Sequence, residues 1–266
     1  MSDQHRNRQA AQLLLEQHGA RQPFDALPET LAPRDVADAY AIQEQFRALR
    51  AEKLGPVAGY KVALTSTVMQ EMLRFFSPFA GPIHAGLIHR SPATLRFSDY
   101  GRAGIECELA AYLGKDLPAD KAPYTRDQIA DAVDAIMPAF ELVDDRNADY
   151  KKISSLILTL IADNAWNGGI VLGKPVTDWR SLDLAALRGV LTMNAEVAGE
   201  GHGRDVLGHP FEALTWLTNT VAAQGRSMKK GMVVMTGTMI ATKFVKPGDT
   251  LSFAVDGLGE VAVHME

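Results

Sequence analysis

Apolar positions at helical spacing open the chain: Ala10, Ala11, Leu13, Leu14 and Leu15 recur over residues 7–18 and stop before Gly19. Pro33-Arg34-Asp35 then begins a second predicted helix that runs to about Lys53. Gly59-Tyr60-Lys61-Val62-Ala63-Leu64 alternates as a short strand, and Ser66 or Thr67 is placed to cap a helix carrying Val68, Met69 and Met72. Ser77-Pro78-Phe79-Ala80-Gly81-Pro82 is too rich in Pro and Gly to predict regular structure and reads as a joint. From about residue 83 short strands dominate, with helices predicted at about 126–136, 152–162 and 210–224. The last stretch predicts antiparallel strands at Met232–Gly237, Lys243–Val245, Thr250–Val255 and Glu260–His264, with a Lys246-Pro247-Gly248-Asp249 turn. The pattern predicts an α+β protein, divided into an N-terminal helical α/β region over 1–80 and a strand-rich domain over 81–266. There is no internal repeat and no low-complexity segment.

A chain of 266 residues, 47% of them hydrophobic, can bury a sizeable core. Its 27 Lys and Arg against 32 Asp and Glu leave a net charge of -5, and no dense basic block is present to follow a nucleic-acid backbone, so nucleic acid is not an expected partner. The single cysteine excludes an intrachain disulfide. Met1 to Arg8 leads into the first helix without a signal-peptide core, and the longest clean apolar run, Leu156–Ala162, is far short of a membrane span. The cytoplasm is the default expectation.

Several apparent motifs fail on physical grounds. Gly168 to Lys174 has the spacing of a phosphate-binding loop, but its Ile-Val-Leu interior calls for a buried strand and Pro175 replaces the residue that would bind magnesium. Gly199-Glu200-Gly201-His202-Gly203 reads as a tight turn between strands, not a dinucleotide fingerprint. No Gly-x-Ser-x-Gly or His-Glu-x-x-His occurs, and His84, His89, His202, His209 and His264 read as surface or turn residues without ligand spacing.

Glu106 and Glu108 flank Cys107 in an apolar run that reads as a strand, where residues two apart share a face. Both carboxylates then project to one side and the cysteine to the other. Taken alone, this is more often the outer face of a surface strand, and the motif is weak. Glu141 changes the balance, because it interrupts a second apolar run, Ile136 to Val143, where a buried charge needs a partner. Clustered carboxylates suit a hard cation, and oxygen-only ligation suits Mg²⁺ or Mn²⁺ better than zinc.

Six stretches in order carry a family resemblance. They are Gly59 to Ser66, the Glu106-x-Glu108 strand, Phe140-Glu141-Leu142-Val143-Asp144-Asp145-Arg146, Ala162-Asp163-Asn164-Ala165 through Gly173, Thr236-Gly237-Thr238, and Lys246 to Asp249. Together they resemble the 2-keto-4-pentenoate hydratase and 4-oxalocrotonate decarboxylase family, within the fumarylacetoacetate hydrolase superfamily, from about residue 35 onward. The resemblance implies a mixed β-roll with a smaller N-terminal region, a homo-oligomer that associates in some relatives with another enzyme of the pathway, and Mg²⁺ or Mn²⁺ held by Glu106, Glu108 and Glu141. It implies Lys61 as the active-site lysine, with a snorkelling strand lysine as the alternative. Thr65, Ser66 and Thr238 are implied as substrate contacts. Asp163 is a second catalytic candidate that orients a ligand or water, with capping of its turn as the alternative.

The implied substrates are small 2-oxo or 2-hydroxydienoic acids from aromatic-ring degradation. Hydration is the leading expectation, followed by decarboxylation, acylpyruvate C–C hydrolysis, and a non-catalytic partner subunit. One departure bears on this choice: family hydratases carry an acid where this chain has Ser77-Pro78-Phe79-Ala80-Gly81, leaving His84 or Glu71 as replacements out of register. Arg74, Arg90 and Arg102 are the candidates to meet a second substrate carboxylate.

Overall fold

Asp35 starts the longer N-terminal helix by accepting the Asp38 N–H on its side chain, and Gly55, at φ 77°, ends it. This helix, α2 (Val36–Leu54), packs Ala39, Ile42 and Phe46 against Ala10, Ala11 and Leu14 of α1 (Asp3–Gly19), close to the ranges predicted from periodicity. Arg6 and Arg34 both pair with Asp38 across the helix junction. The computed structural model describes residues 3–266.

The chain continues through β1 (Val57–Ala63), α3 (Thr67–Leu73), β2 (Phe79–His84), β3 (Ile88–Arg90), β4 (Ala93–Leu95) and β5 (Ala103–Leu113). After these come α4 (Arg126–Ala132), β6 (Val133–Asp144), α5 (Ile157–Ala162), β7 (Asn167–Leu172), β8 (Arg188–Met193) and β9 (Glu196–His202). The last elements are α6 (Pro210–Ala223), β10 (Val233–Phe244), β11 (Thr250–Val255) and β12 (Gly259–Met265). No helix among the described residues is long and apolar enough to cross a membrane.

Two sheets result. A seven-stranded mixed sheet runs β2-β1-β10-β5-β6-β7-β3, and a five-stranded one runs β4-β12-β11-β8-β9. One face of the large sheet presents Ile105, Cys107, Leu109 and Phe140 to a core shared with Phe253 and Val261 of the small sheet and with Leu214 and Leu217 of α6. On the other face a separate cluster forms from Ile83, Ala110, Met137, Ala139, Ile170, Leu172, Val233 and Met235. The large sheet curls around this second cluster until β2 approaches β7, which makes the architecture an α+β mixed roll.

The structure departs from the sequence-based expectations at several places. Ser77–Pro82 is not wholly irregular, since Phe79–His84 forms β2, with Pro82 opposite Tyr60. Proline is tolerated there because β2 is the edge of its sheet. The expected division at 80/81 falls inside this strand, and β1 lies between β2 and β10. The helix expected to 136 stops at Ala132, because Val133 onward pairs along the whole of β5. The segment expected as one helix from 152 starts as a 3-10 turn over Ile153–Leu156 before α5. The strands expected at Met232–Gly237 and Lys243–Val245 are one strand, β10, whose register against β5 shifts around Gly237.

The glycines at 199 and 201 do not form a turn. They lie within β9, where a Cβ on Gly201 would stand 2.0 Å from the Met239 carbonyl oxygen, so they mark a close approach of backbones. The turn between β8 and β9 is instead made by Asn194 and Ala195, both at positive φ. His84 is not a surface residue. It is fully buried, with Nδ1 hydrogen bonded to the Gly55 carbonyl oxygen at 2.9 Å.

Gln43 ties the helical layer to the roll, donating through Nε2 to Ala80 O at 3.0 Å and to Ile161 O at 2.8 Å. Replacing it with the similarly sized Met leaves two carbonyls without this donor, so Gln43→Met is expected to cost about 2–4 kcal/mol. A fall in urea midpoint at constant slope would show this, and an unchanged midpoint would refute it.

Candidate metal centre and active site

Strand pairing puts three acids together. Glu106 lies directly opposite Glu141 in the β5–β6 ladder, and Glu108 lies opposite Ala139 on the same face. One ligand oxygen from each of Glu106, Glu108 and Glu141 falls within 4.8 Å of the others. Glu108 and Glu141 are fully buried, while Glu106 is partly accessible and lines the adjoining pocket. Cys107 points into the opposite core, as the alternation predicts, and burial together with the flanking glutamates pushes its thiol up, away from any nucleophilic role.

Each carboxylate accepts a hydrogen bond from the surrounding strands. The Thr242 hydroxyl donates to Glu106 Oε1 at 2.7 Å, the Gly237 N–H to Glu108 Oε2 at 2.7 Å, and Asn167 Nδ2 to Glu141 Oε1 at 3.0 Å. Gly237, at φ 99°, sits at the register shift in β10 that turns its N–H away from the ladder toward the acid. Glu108 Oε1 and Glu141 Oε2 remain buried without a protein partner. Burial first, then the Glu141 charge, raises Glu106 above its ordinary value, although Thr242 and Lys61 oppose the shift. Burial, Glu141 and Glu106 raise Glu108 well above its ordinary value against the Gly237 N–H and Lys61. Orphaned carboxylate oxygens beside mutually repelling acids are the donor set that a divalent cation satisfies.

Lys61 meets this cluster from β1. It is 2% exposed, donates to Ala165 O at 3.1 Å, and holds Nζ 3.2 Å from Glu141 Oε1. It is therefore not a snorkelling lysine. The pocket beside it is lined by Lys61, Glu106, Thr65, Ser66 and Thr238 at its polar end, with apolar walls from Leu64, Met69, Leu73, Phe79, Leu160 and Trp166. Ser66 caps α3 by accepting the Met69 N–H at 3.3 Å, and the Thr238 hydroxyl donates to Ile240 O at 2.6 Å.

The remaining candidates lie elsewhere. Asp163 does not line the pocket, and its buried carboxylate pairs with Arg146 and His18. Burial would raise Asp163, but the charges and hydrogen bonds of His18 and Arg146 outweigh it and hold the carboxyl below its ordinary value. Glu71 is exposed on α3 and His84 is buried against Gly55, so neither stands where the family acid is absent. Arg74 and Arg90 are exposed, and Arg102 pairs with Asp145. Asn167, Thr242 and the Gly237 N–H escaped the sequence reading because no periodicity marks a hydrogen bond that depends on strand register. Of the apolar wall, Met69 was visible only as helix-spaced hydrophobicity and Leu160 only within an apolar run, and nothing singled out Leu73.

A rolled mixed sheet with three inward acids at one end defines a class, and the comparisons agree with it. The profile of the family described as Fumarylacetoacetate (FAA) hydrolase C-terminal matches residues 62–266. A protein named 2-keto-4-pentenoate hydratase from Paraburkholderia xenovorans is 31% identical over 97% of this chain and 94% of its own length. One from Comamonas testosteroni named 2-hydroxyhexa-2,4-dienoate hydratase is 34% identical over 86% of each. The structure of 4-oxalocrotonate decarboxylase from Pseudomonas putida G7, complexed with magnesium and adipate, superposes with a TM-score of 0.89 over 100% of this chain and 99% of that one. At 24% identity, that likeness speaks for the fold. The chain belongs to the 2-keto-4-pentenoate hydratase and 4-oxalocrotonate decarboxylase family of enzymes, within the fumarylacetoacetate hydrolase superfamily.

Because Glu106 and Glu108 are raised above their ordinary value of 4.5, the metal-free fold binds more protons than the unfolded chain above that pH. Their contribution to stability is present below 4.5 and lost as pH rises through the raised values. Chelator-treated protein is expected to lose melting temperature from mildly acidic toward neutral pH and to regain it with Mg²⁺ or Mn²⁺. Glu108→Gln should flatten that slope and abolish the rescue. Melting curves independent of pH and metal in the unsubstituted protein would contradict this account.

Proposed function

We propose that this chain is a divalent-metal-dependent hydro-lyase that hydrates a 2-hydroxy-2,4-dienoate with a short apolar tail to a 4-hydroxy-2-oxo acid. The observation that carries the reading is the charge pattern of the pocket: Lys61 is its one cationic lining residue among those described, and the wall beyond it is apolar. A dicarboxylate such as 2-oxo-3-hexenedioate would set its second carboxylate against Leu64, Met69, Leu73 and Phe79 without a partner, at a cost of several kcal/mol. This favours hydration over decarboxylation. No histidine among the described residues lines the pocket, which removes the His-Glu pair that an acylpyruvate hydrolase would use to activate water. The retained acids and Lys61 argue against a non-catalytic subunit.

Glu106, Glu108 and Glu141 would hold Mg²⁺ or Mn²⁺, as the two orphaned oxygens support. When bound, that ion supplies positive charge for the 1-carboxylate and 2-oxygen of the substrate and favours the enolate. Hydration requires loss of the 2-hydroxyl proton, protonation at C5, addition of water at C4, and protonation at C3. Lys61 holds a proton at Nζ where the polar end of the pocket meets the acids, and Ala165 O and Glu141 fix its direction. Thr65, Ser66 and Thr238 offer neutral hydroxyls to the acid end of the substrate. The apolar walls exclude bulk water from the diene. The same reading carries a homo-oligomer acting on a small 2-oxo acid.

Protein supplied with Mg²⁺ or Mn²⁺ is to be mixed with freshly generated 2-hydroxypenta-2,4-dienoate and, separately, with 2-oxo-3-hexenedioate, following ultraviolet absorbance and CO₂ release. Loss of dienoate absorbance without CO₂ is expected, and preferential decarboxylation of the dicarboxylate would overturn the assignment. Lys61→Met is expected to lower kcat about 10²–10⁴-fold while metal binding, measured by calorimetry, survives.

A further inference from the structure

Asn164, Ala165 and Trp166 are consecutive and none is glycine, yet they hold φ of 63°, 48° and 59°. Left-handed backbone costs roughly 1–2 kcal/mol at each such residue and persists only where the surroundings over-determine it. This turn serves the site directly. The Ala165 carbonyl oxygen fixes Lys61, the Trp166 side chain forms pocket wall, and the next residue, Asn167, holds Glu141.

The groups that over-determine the turn include Arg146 and also three residues of the N-terminal segment, His18, Gln22 and Phe24, which lie outside the 62–266 stretch matched by the family profile. Asp163, which leads into the turn, accepts from Arg146 through both oxygens, at 3.3 and 2.7 Å, and meets His18 Nε2 from the end of α1. Arg146 Nε donates to Gln22 O at 3.1 Å, and the Phe24 N–H donates to Arg146 O at 3.0 Å. The Phe24 ring then meets Trp166 edge-on at 5.2 Å. Two residues of one short segment thus bear on both ends of the strained turn. His18 keeps 18% of its side chain exposed, so it is less deeply committed to the core than the pair it contacts.

We propose that residues 18–24 form a positioning clamp, in which His18 on Asp163 and Phe24 on Trp166 hold the 163–167 turn in its left-handed form and so set Lys61 and Glu141. His18 and Phe24 are positioning residues that touch neither the three acids nor the pocket. The kinetic half of the proposal rests on the hydratase reading, and a spectroscopic half does not.

The test compares His18→Ala, His18→Gln and Phe24→Leu in the full chain. Acrylamide quenching of Trp166 emission, isolated by subtracting matched Trp166→Phe proteins, reports the turn without any substrate. His18→Ala is expected to make Trp166 more quenchable and to lower kcat about 10–100-fold with KM little changed, because a misplaced turn misdirects Lys61. His18→Gln, which can still donate to Asp163, is expected to restore most of both. A folded His18→Ala protein with unchanged quenching and unchanged kcat overturns the clamp, and so does loss of stability alone. If His18→Ala does not fold, Phe24→Leu is held to the same criteria. Should the unsubstituted protein turn over no dienoate, the hydratase reading fails while the quenching comparison still decides the clamp.

Discussion

Three carboxylates are packed on the inner face of a rolled sheet, two of them with no access to water. Like charges at that range repel strongly where the dielectric is low. The surrounding structure is arranged to offset this repulsion. Thr242, the Gly237 N–H and Asn167 each donate to one acid, and Lys61 places an ammonium beside Glu141. Two oxygens are still left over, and they are the positions where a cation would complete the balance.

Holding such a cluster requires a scaffold that cannot relax around it. The main core locks one face of β5 and β6, while Ala110, Met137, Ala139, Ile170 and Met235 fill the inside of the roll just beyond the acids. The curl of the sheet around them brings β1, with Lys61, near β6, with Glu141. The pocket wall comes from another source. Trp166 belongs to the left-handed turn that the N-terminal segment grips, and Leu160 belongs to the α5 helix before it. The helical layer thus contributes to the site's geometry without supplying a ligand to it.

The pocket's polarity follows from the same division of labour. Polar groups come from β1, the turn after it, β5 and β10, and apolar ones come largely from α3, α5 and the edge strand β2. A substrate whose charge sits at one end and whose hydrocarbon sits at the other matches this gradient. The arginines considered for a second carboxylate are exposed, as Arg74 and Arg90 are, or already paired, as Arg102 is.

Much of the site was legible along the chain, because strand alternation is a local property. It set Glu106 and Glu108 on one face, Cys107 on the other, and made Glu141 conspicuous as an acid within an apolar run. The helix start around Asp35, a cap at Ser66 or Thr67, and a buried strand in the stretch that forms β7 were likewise written in nearby residues. Long-range register was not, since nothing local states that Glu106 faces Glu141, or that β10 runs unbroken through a bulge that turns Gly237 toward Glu108. Pro82 argued against a strand because the sequence cannot say which strand lies at an edge. Asp163 looked catalytic by position, yet its partners His18 and Arg146 come from 145 and 17 residues away, and they occupy both of its oxygens. Local periodicity determined which chemistry the chain carries. Only tertiary packing decided which acids meet, which lysine joins them, and which carboxylate serves as a brace, because those depend on contacts between residues that the chain keeps far apart.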